Sequence, residues 1–361
     1  MERGTWNTEP INQSTNQPLN LIMNYRKFIP IVLALIIFLT GCKQNGDKKA
    51  GVKTPGIEQE VVETEPVTVD TLLYQQKIKL LANGDTTGLW PIKKQPFPYQ
   101  GAILPYKRIV AYYGNLYSKK MGVLGEYPPK ELWKRLNKEV DAWKKADPTT
   151  PVIPAIHYIA VVAQGIPMKD GTYCKRMPVV QIDSALAIAK MGNAIVFLDI
   201  QIAQSSLKHE LPLLEKYLKM PQVHVGIDPE FAMKDGNIPG HKIGSMDASD
   251  INFCSDYLAK LVRKNNLTPK ILIVNRFTQG MVKNYKNIKL HPEVQIIMNM
   301  DGWGEPILKH STYIRYIYRE PVQFTGYKLF YKNDIKKPPH RMLTPPELMK
   351  LKPQPIYIQY Q

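Results

Sequence analysis

The chain has 361 residues, 44% hydrophobic and 22% charged, which allows a sizeable core and argues against global disorder. Its 30 prolines imply long irregular stretches, and its 3 cysteines are too few for a disulfide framework. The formal net charge of +17 is spread through lysine-rich segments and comes with no recognition motif for nucleic acid, so it suits anionic glycans, anionic lipid surfaces or a solvated face.

Residues 1–22 are polar and unlike a signal n-region, so Met23 is the expected start of the natural chain. Arg26 and Lys27 then precede an apolar run over 28–39, broken only by Pro30. At about 12 residues the run is too short to span a bilayer and right for a signal-peptide h-region. It ends in Leu39-Thr40-Gly41-Cys42, which resembles the lipobox of bacterial lipoproteins. The resemblance implies a diacylglycerol on the Cys42 sulfur, cleavage before Cys42 and acylation of the new amino terminus. It also implies a bacterial cell-envelope address, lipid-anchored and facing periplasm or exterior. An ordinary signal peptide with a chance cysteine is the alternative. Residues 1–41 therefore stand outside the fold. Residues 42–69 are polar, lack an apolar period and read as a flexible tether to a folded domain over 70–361.

Residues 70–82 have helical period. From Arg108 onward, short apolar β-rich runs alternate with helical ones. Strands are expected at 109–113, 152–158, 194–199, 224–228, 271–275, 295–300, 327–331 and 356–360. Helices are expected at 130–145, 181–191, 208–219, 248–265, 279–286, 305–318 and 344–350, with start signals at Pro128-Pro129, Asp247 and Thr344-Pro345. Near-continuous apolar strands interleaved with helices predict an α/β fold, a (β/α)8 TIM barrel whose eighth helix is missing. A doubly wound sheet uses the same alternation, but the first strand is not followed by a Gly-rich turn. The helix at 70–82 can cover the gap between strands eight and one.

Working residues of such barrels sit at the C-terminal ends of strands. Those ends bring Tyr112 and Tyr113, His157 and Tyr158, Asp199, Asp228 with Glu230, Asp301 with Trp303, Lys328 with Tyr331, and finally Tyr360. Asp after an apolar run has no packing role, since an unpaired buried charge is costly. Capping or turn formation explains any one of them; three together favour a site. Asp228 and Glu230, two residues apart, leave an extended chain on one face. Like charges that close separate their pKa values and suit acid–base work on a glycosidic bond. Glu230, Asp228, Asp301 and Asp199 are the catalytic candidates. Tyr112, Tyr113, His157, Trp303, Lys328, Tyr331 and Tyr360 are the substrate-binding ones.

The runs 110–114, 225–230 and 298–301 resemble strands one, four and six of chitinase-like glycoside hydrolase barrels. That resemblance implies a general acid at Glu230, with Asp228 and Asp301 as its partners. The chain departs from the family at the earlier strand-four Asp, the strand-three Ser-x-Gly-Gly and the strand-eight Trp. The whole chain also resembles uncharacterised bacterial secreted barrels, which implies no activity. A zinc hydrolase lacks its usual histidine spacing, although His157, Asp199, His224 and Asp301 can converge on a metal. Cys174 and Cys254 can pair only if the fold brings them together. The expected protein is an anchored monomer without cofactor, bound to membrane lipid through Cys42 and acting on a polysaccharide. The alternative is a non-catalytic glycan-binding or envelope-interaction barrel. Acids facing each other across an open cleft favour the enzyme; acids ion-paired below the rim favour the binding module.

Overall fold

In the computed structural model, residues 69–361 are described; the signal segment, Cys42 and the tether expected before them lie outside these residues. Eight strands form the framework: β1 (Arg108–Gly114), β2 (Val152–Ala163), β3 (Ile195–Ile200) and β4 (Val223–Ile227). They continue with β5 (Lys270–Arg276), β6 (Val294–Met300), β7 (Phe324–Leu329) and β8 (Tyr357–Tyr360). Each runs parallel to its neighbours in chain order. The ring closes where β8 pairs with β1, from Ile109 opposite Tyr357 to Tyr112 opposite Tyr360. The fold is a closed TIM-type barrel.

The helices are α1 (Thr71–Leu81), α2 (Pro129–Ala146), α3 (Val179–Met191) and α4 (Leu207–Leu213). After them come α5 (Glu215–Leu218), α6 (Ala248–Asn265), α7 (Pro306–Tyr313) and α8 (Pro345–Leu348). Three expected helices change form. Pro212, without an N–H, splits 208–219 into α4 and α5. The turn after α7 widens into a π-helix over Ile314–Tyr318. Residues 279–286 form no α-helix: Gly280 and left-handed Asn284 break the run into 3-10 turns around the short strand Val282–Lys283. Strand β2 outruns its expected end by way of a bulge between Ile159 and Val161, and its tip pairs with an antiparallel strand, Cys174–Arg176. Among the described residues, no helix is long and apolar enough to cross a membrane. Cys174 and Cys254 are buried free thiols.

Alternation along the strands sorts side chains between two cores. Outward residues such as Val110, Val196, Val225, Leu272 and Ile296 pack under the helix ring. Inward residues Ile109, Ala111, Ala155, Phe197, Ile271, Ile273, Ile297 and Tyr357 form a second cluster, which Tyr74 and Ile78 of α1 join. Helix α1, capped by the Asp70 carboxylate on Leu72 N–H and Leu73 N–H, therefore packs on the interior at the barrel's N-terminal end. Its last turn is fastened beside β8: Gln354 N–H donates to Leu81 O at 2.8 Å, and Asn83 Nδ2 donates to Leu351 O at 2.9 Å.

Candidate functional site

Above that apolar layer the inward positions turn polar. On β3 the alternation runs from Phe197 to Asp199, on β6 from Ile297 to Asn299 to Asp301, and on β7 from Gly326 to Lys328. His157 and Asp199 are both 0% exposed and meet at 3.0 Å, Nε2 to Oδ1. The other ring nitrogen, Nδ1, lies 2.6 Å from the Tyr357 hydroxyl and 3.0 Å from Gln359 Nε2. Tyr113 O–H donates to the second Asp199 oxygen at 3.1 Å. Gly226 makes this pairing possible. It lies opposite Asp199 in the β3–β4 register, and a Cβ there would overlap Asp199 Oδ1 and His157 Nε2.

Three more acids and one lysine complete the layer. Asp301 pairs with Lys328, Oδ1 to Nζ at 2.8 Å, and the Lys328 ammonium sits 3.8 Å from the centre of the Tyr113 ring. Asp228 is 2% exposed, and its Oδ1 accepts from Glu230 N–H at 3.2 Å, capping the 3-10 turn Pro229–Phe231. The turn carries Glu230 to the mouth, where it keeps partial exposure. The returning loop locks it: Gly244 N–H donates to Glu230 O at 2.6 Å, and a Cβ on Gly244 would strike the Glu230 and Ala232 backbone. Among the described residues the Glu230 carboxyl has neither a hydrogen-bond nor an ion-pair partner.

The electrostatics separate these acids. Burial, then the charge of Asp301, raises Glu230 to about 8, against the pull of Lys328. Burial, followed by the charges of Asp301, Glu230 and Asp199, holds Asp228 well above the ordinary carboxylate range. Burial also raises Asp301, with Lys328 opposing it. Of these three, Asp301 alone has an ammonium partner, which favours its charged form. The layer thus places an unpaired carboxyl with a raised pKa at the mouth above the Asp301–Lys328 contact.

Glu230, Asp228, Asp301, Asp199, Tyr113, His157 and Lys328 therefore come together. Trp303 stands just past β6, partly exposed, with the Lys336 ammonium 5.3 Å from its ring centre. Tyr112, Tyr331 and Tyr360 do not join the site, because their alternation points them outward. Tyr112 O–H and Tyr331 O–H are 3.0 Å apart, Tyr331 O–H donates to Glu139 of α2, and Trp143 Nε1 donates to the Tyr360 hydroxyl. Tyr158 likewise faces α3, donating to Gln181. His224 is apart as well: its Nδ1 accepts from Ile271 N–H at 3.1 Å, and Phe197 stands between it and His157. No three His, Cys, Asp or Glu among the described residues are arranged to hold a metal ion.

The sequence marks neither Asn275, Asn299 nor Tyr357 as a site residue, and Gln359 only as part of a strand end. Asn299 Nδ2 donates to Asn275 Oδ1 at 2.9 Å, yet Asn275 Nδ2, Asn299 Oδ1 and Gln359 Oε1 stay buried and unpaired. Such groups are costly unless water or a ligand reaches them. Their signal was available: each amide interrupts an apolar strand at an inward position. Beside the layer, a cleft of about 280 Å³ is lined by Lys119, Gly122, Glu126, Phe330, Lys332 and Asn333. Phe330 joins it to the acids, its ring centre lying 5.1 Å from the Lys328 ammonium. No protein-family model matches the chain, and no curated protein sequence matches it.

Proposed function

We propose that the protein is a lipid-anchored cell-envelope enzyme that hydrolyses glycosidic bonds by acid catalysis, with Glu230 as the general acid. The observation that carries the reading is the Glu230 carboxyl itself: unpaired, at the barrel mouth, and raised to about 8. A carboxyl still protonated at neutral pH can deliver its proton to the leaving oxygen of a glycan. Asp301, charged against Lys328, supplies the negative field that keeps that proton on Glu230 and steadies positive charge developing on the sugar ring. Asp228, two residues before Glu230, caps the turn that aims it. Tyr113 and the His157–Asp199 pair fix the floor. Trp303 offers a partly exposed ring against which a sugar can stack. The anchor rests on the sequence, through Cys42 and the run that precedes it.

A second reading, a non-catalytic glycan-binding barrel, has one observation in its favour. Asp199, Asp228 and Asp301 are 0%, 2% and 7% exposed, and two of them are paired with His157 and Lys328 below the rim. Turnover on a panel of envelope glycans separates the two. Glu230→Gln should lower the rate on a cleaved glycan by about 10²–10⁴-fold while leaving binding nearly unchanged and the fold at least as stable as the wild type. Wild-type turnover should fall away above about pH 8, where Glu230 loses its proton. Binding without turnover by the wild type selects the second reading, and full turnover by Glu230→Gln removes the acid role.

A further inference from the structure

Helix α1 carries apolar side chains in two directions. Tyr74 and Ile78 enter the barrel core, whereas Leu72, Leu73 and Leu80 are 70%, 41% and 65% exposed. At about 3.6 residues per turn, positions 72, 76 and 80 fall in one line with 73 beside them, so the leucines form a single outer stripe. The barrel's own packing gives this stripe no role. The same end of the molecule is basic. Lys79 lies on the helix, Lys93 and Lys94 on the segment joining it to β1, Lys107 just before β1 and Lys350 on the approach to β8, all exposed. Two acids stand beside them, Asp70 capping α1 and Asp85 accepting from Tyr318 and Thr87, and the exposed lysines outnumber them.

We propose that this N-terminal face of the barrel rests on an anionic phospholipid bilayer, with the leucine stripe in the acyl boundary and the lysines at headgroup phosphates. Charge complementarity is one argument for that occupant. The chain path is the other, since α1 is the first described element after the segment 43–69 that joins it to Cys42. At no more than about 3.6 Å per residue, that segment keeps α1 within about 100 Å of the anchor whatever its conformation. The proposal takes the Cys42 anchor from the reading above and is independent of the enzymatic role. Docked this way, the barrel turns Glu230, at its opposite end, away from the lipid.

The test uses the full chain in vesicles of phosphatidylcholine, with or without phosphatidylglycerol, and an environment-sensitive dye at Leu80→Cys or at Ile243→Cys. Ile243 is exposed in the loop beside Glu230, while Cys174 and Cys254 are buried from the label. Co-flotation reports the anchor, and iodide quenching of the dye reports docking, so the two can fail separately. Quenching at position 80 should fall about fivefold or more on anionic vesicles. It should recover in high salt, and position 243 should stay fully quenched. Co-flotation with position 80 fully quenched on both vesicles would remove the docking and leave the anchor. Failure to float on anionic vesicles would remove both. Protection at position 80 that follows protein concentration, with or without anionic lipid, would assign the stripe to a second copy of the chain and overturn the proposal.

Discussion

Gly226 contributes an absence on which the charged layer depends. Its missing side chain is the space in which His157 reaches Asp199, so Gly226→Ala should force the pair apart although no charge is altered. Overpacking of this kind costs about 1–3 kcal/mol. The expected result is a lower melting temperature and, on the proposed function, weaker binding of a glycan as the floor of the site is displaced. Unchanged melting and binding would show that the pair can shift at no cost. Residue chemistry was partly legible beforehand. Asp199, Asp228, Glu230 and Asp301 stood out because carboxylates ending apolar runs have no packing use. The amides of Asn275, Asn299 and Gln359 did not, because a single polar residue inside a strand looks like ordinary variation until its direction is known. Tyr112, Tyr331 and Tyr360 misled for the same reason: proximity to a strand end does not fix the face, and alternation sends them under α2.

At the level of elements, the strands were legible because each is a short apolar run buried on both faces, a pattern that survives without knowledge of its neighbours. The connections were less so. Residues 279–286 have helix-compatible composition, but Gly280 and Asn284 break the run, and Val282–Lys283 pairs with Met246–Asp247 instead. Helix α1 shows the same limit. Its period could be read, yet only the three-dimensional core shows that Tyr74 and Ile78 close the interior beneath Ile109, Phe197 and Ile271. A helix that seals a barrel should matter to the whole fold. Ile78→Ala removes buried methylenes from that seal and is expected to cost roughly 2–5 kcal/mol, measured as a shift in the urea midpoint. A change below about 0.5 kcal/mol, the scale of a surface substitution, would mean that α1 is a peripheral attachment.

Over the whole molecule, chemistry is divided between the two ends of one barrel. Protonatable acids gather at the C-terminal mouth, and lysines surround α1 at the other end. Raised acids have a consequence for stability. Glu230 holds its proton more tightly in the fold, at about 8, than at its ordinary value of 4.5. Its contribution to stability is therefore fully present below about 4.5 and is lost as the pH rises through about 8. Asp228 and Asp301, raised by burial, act in the same direction. The urea midpoint of the wild type should thus fall relative to that of Glu230→Gln as pH increases across this window. Midpoints that move in parallel would mean that Glu230 titrates alike in both states.

The central claim is that Glu230 is a protonated acid at neutral pH, and carbon-13 NMR of its side-chain carboxyl tests this without a substrate. Glu230→Gln identifies the resonance, and a pH titration of the wild type gives the midpoint. A midpoint near 8 agrees with a carboxyl raised by burial and by the charge of Asp301. It should move down in Asp301→Asn, where that charge is gone. A midpoint between about 4 and 5, unaffected by Asp301→Asn, would make Glu230 an ordinary rim carboxylate and contradict the acid-catalysis account.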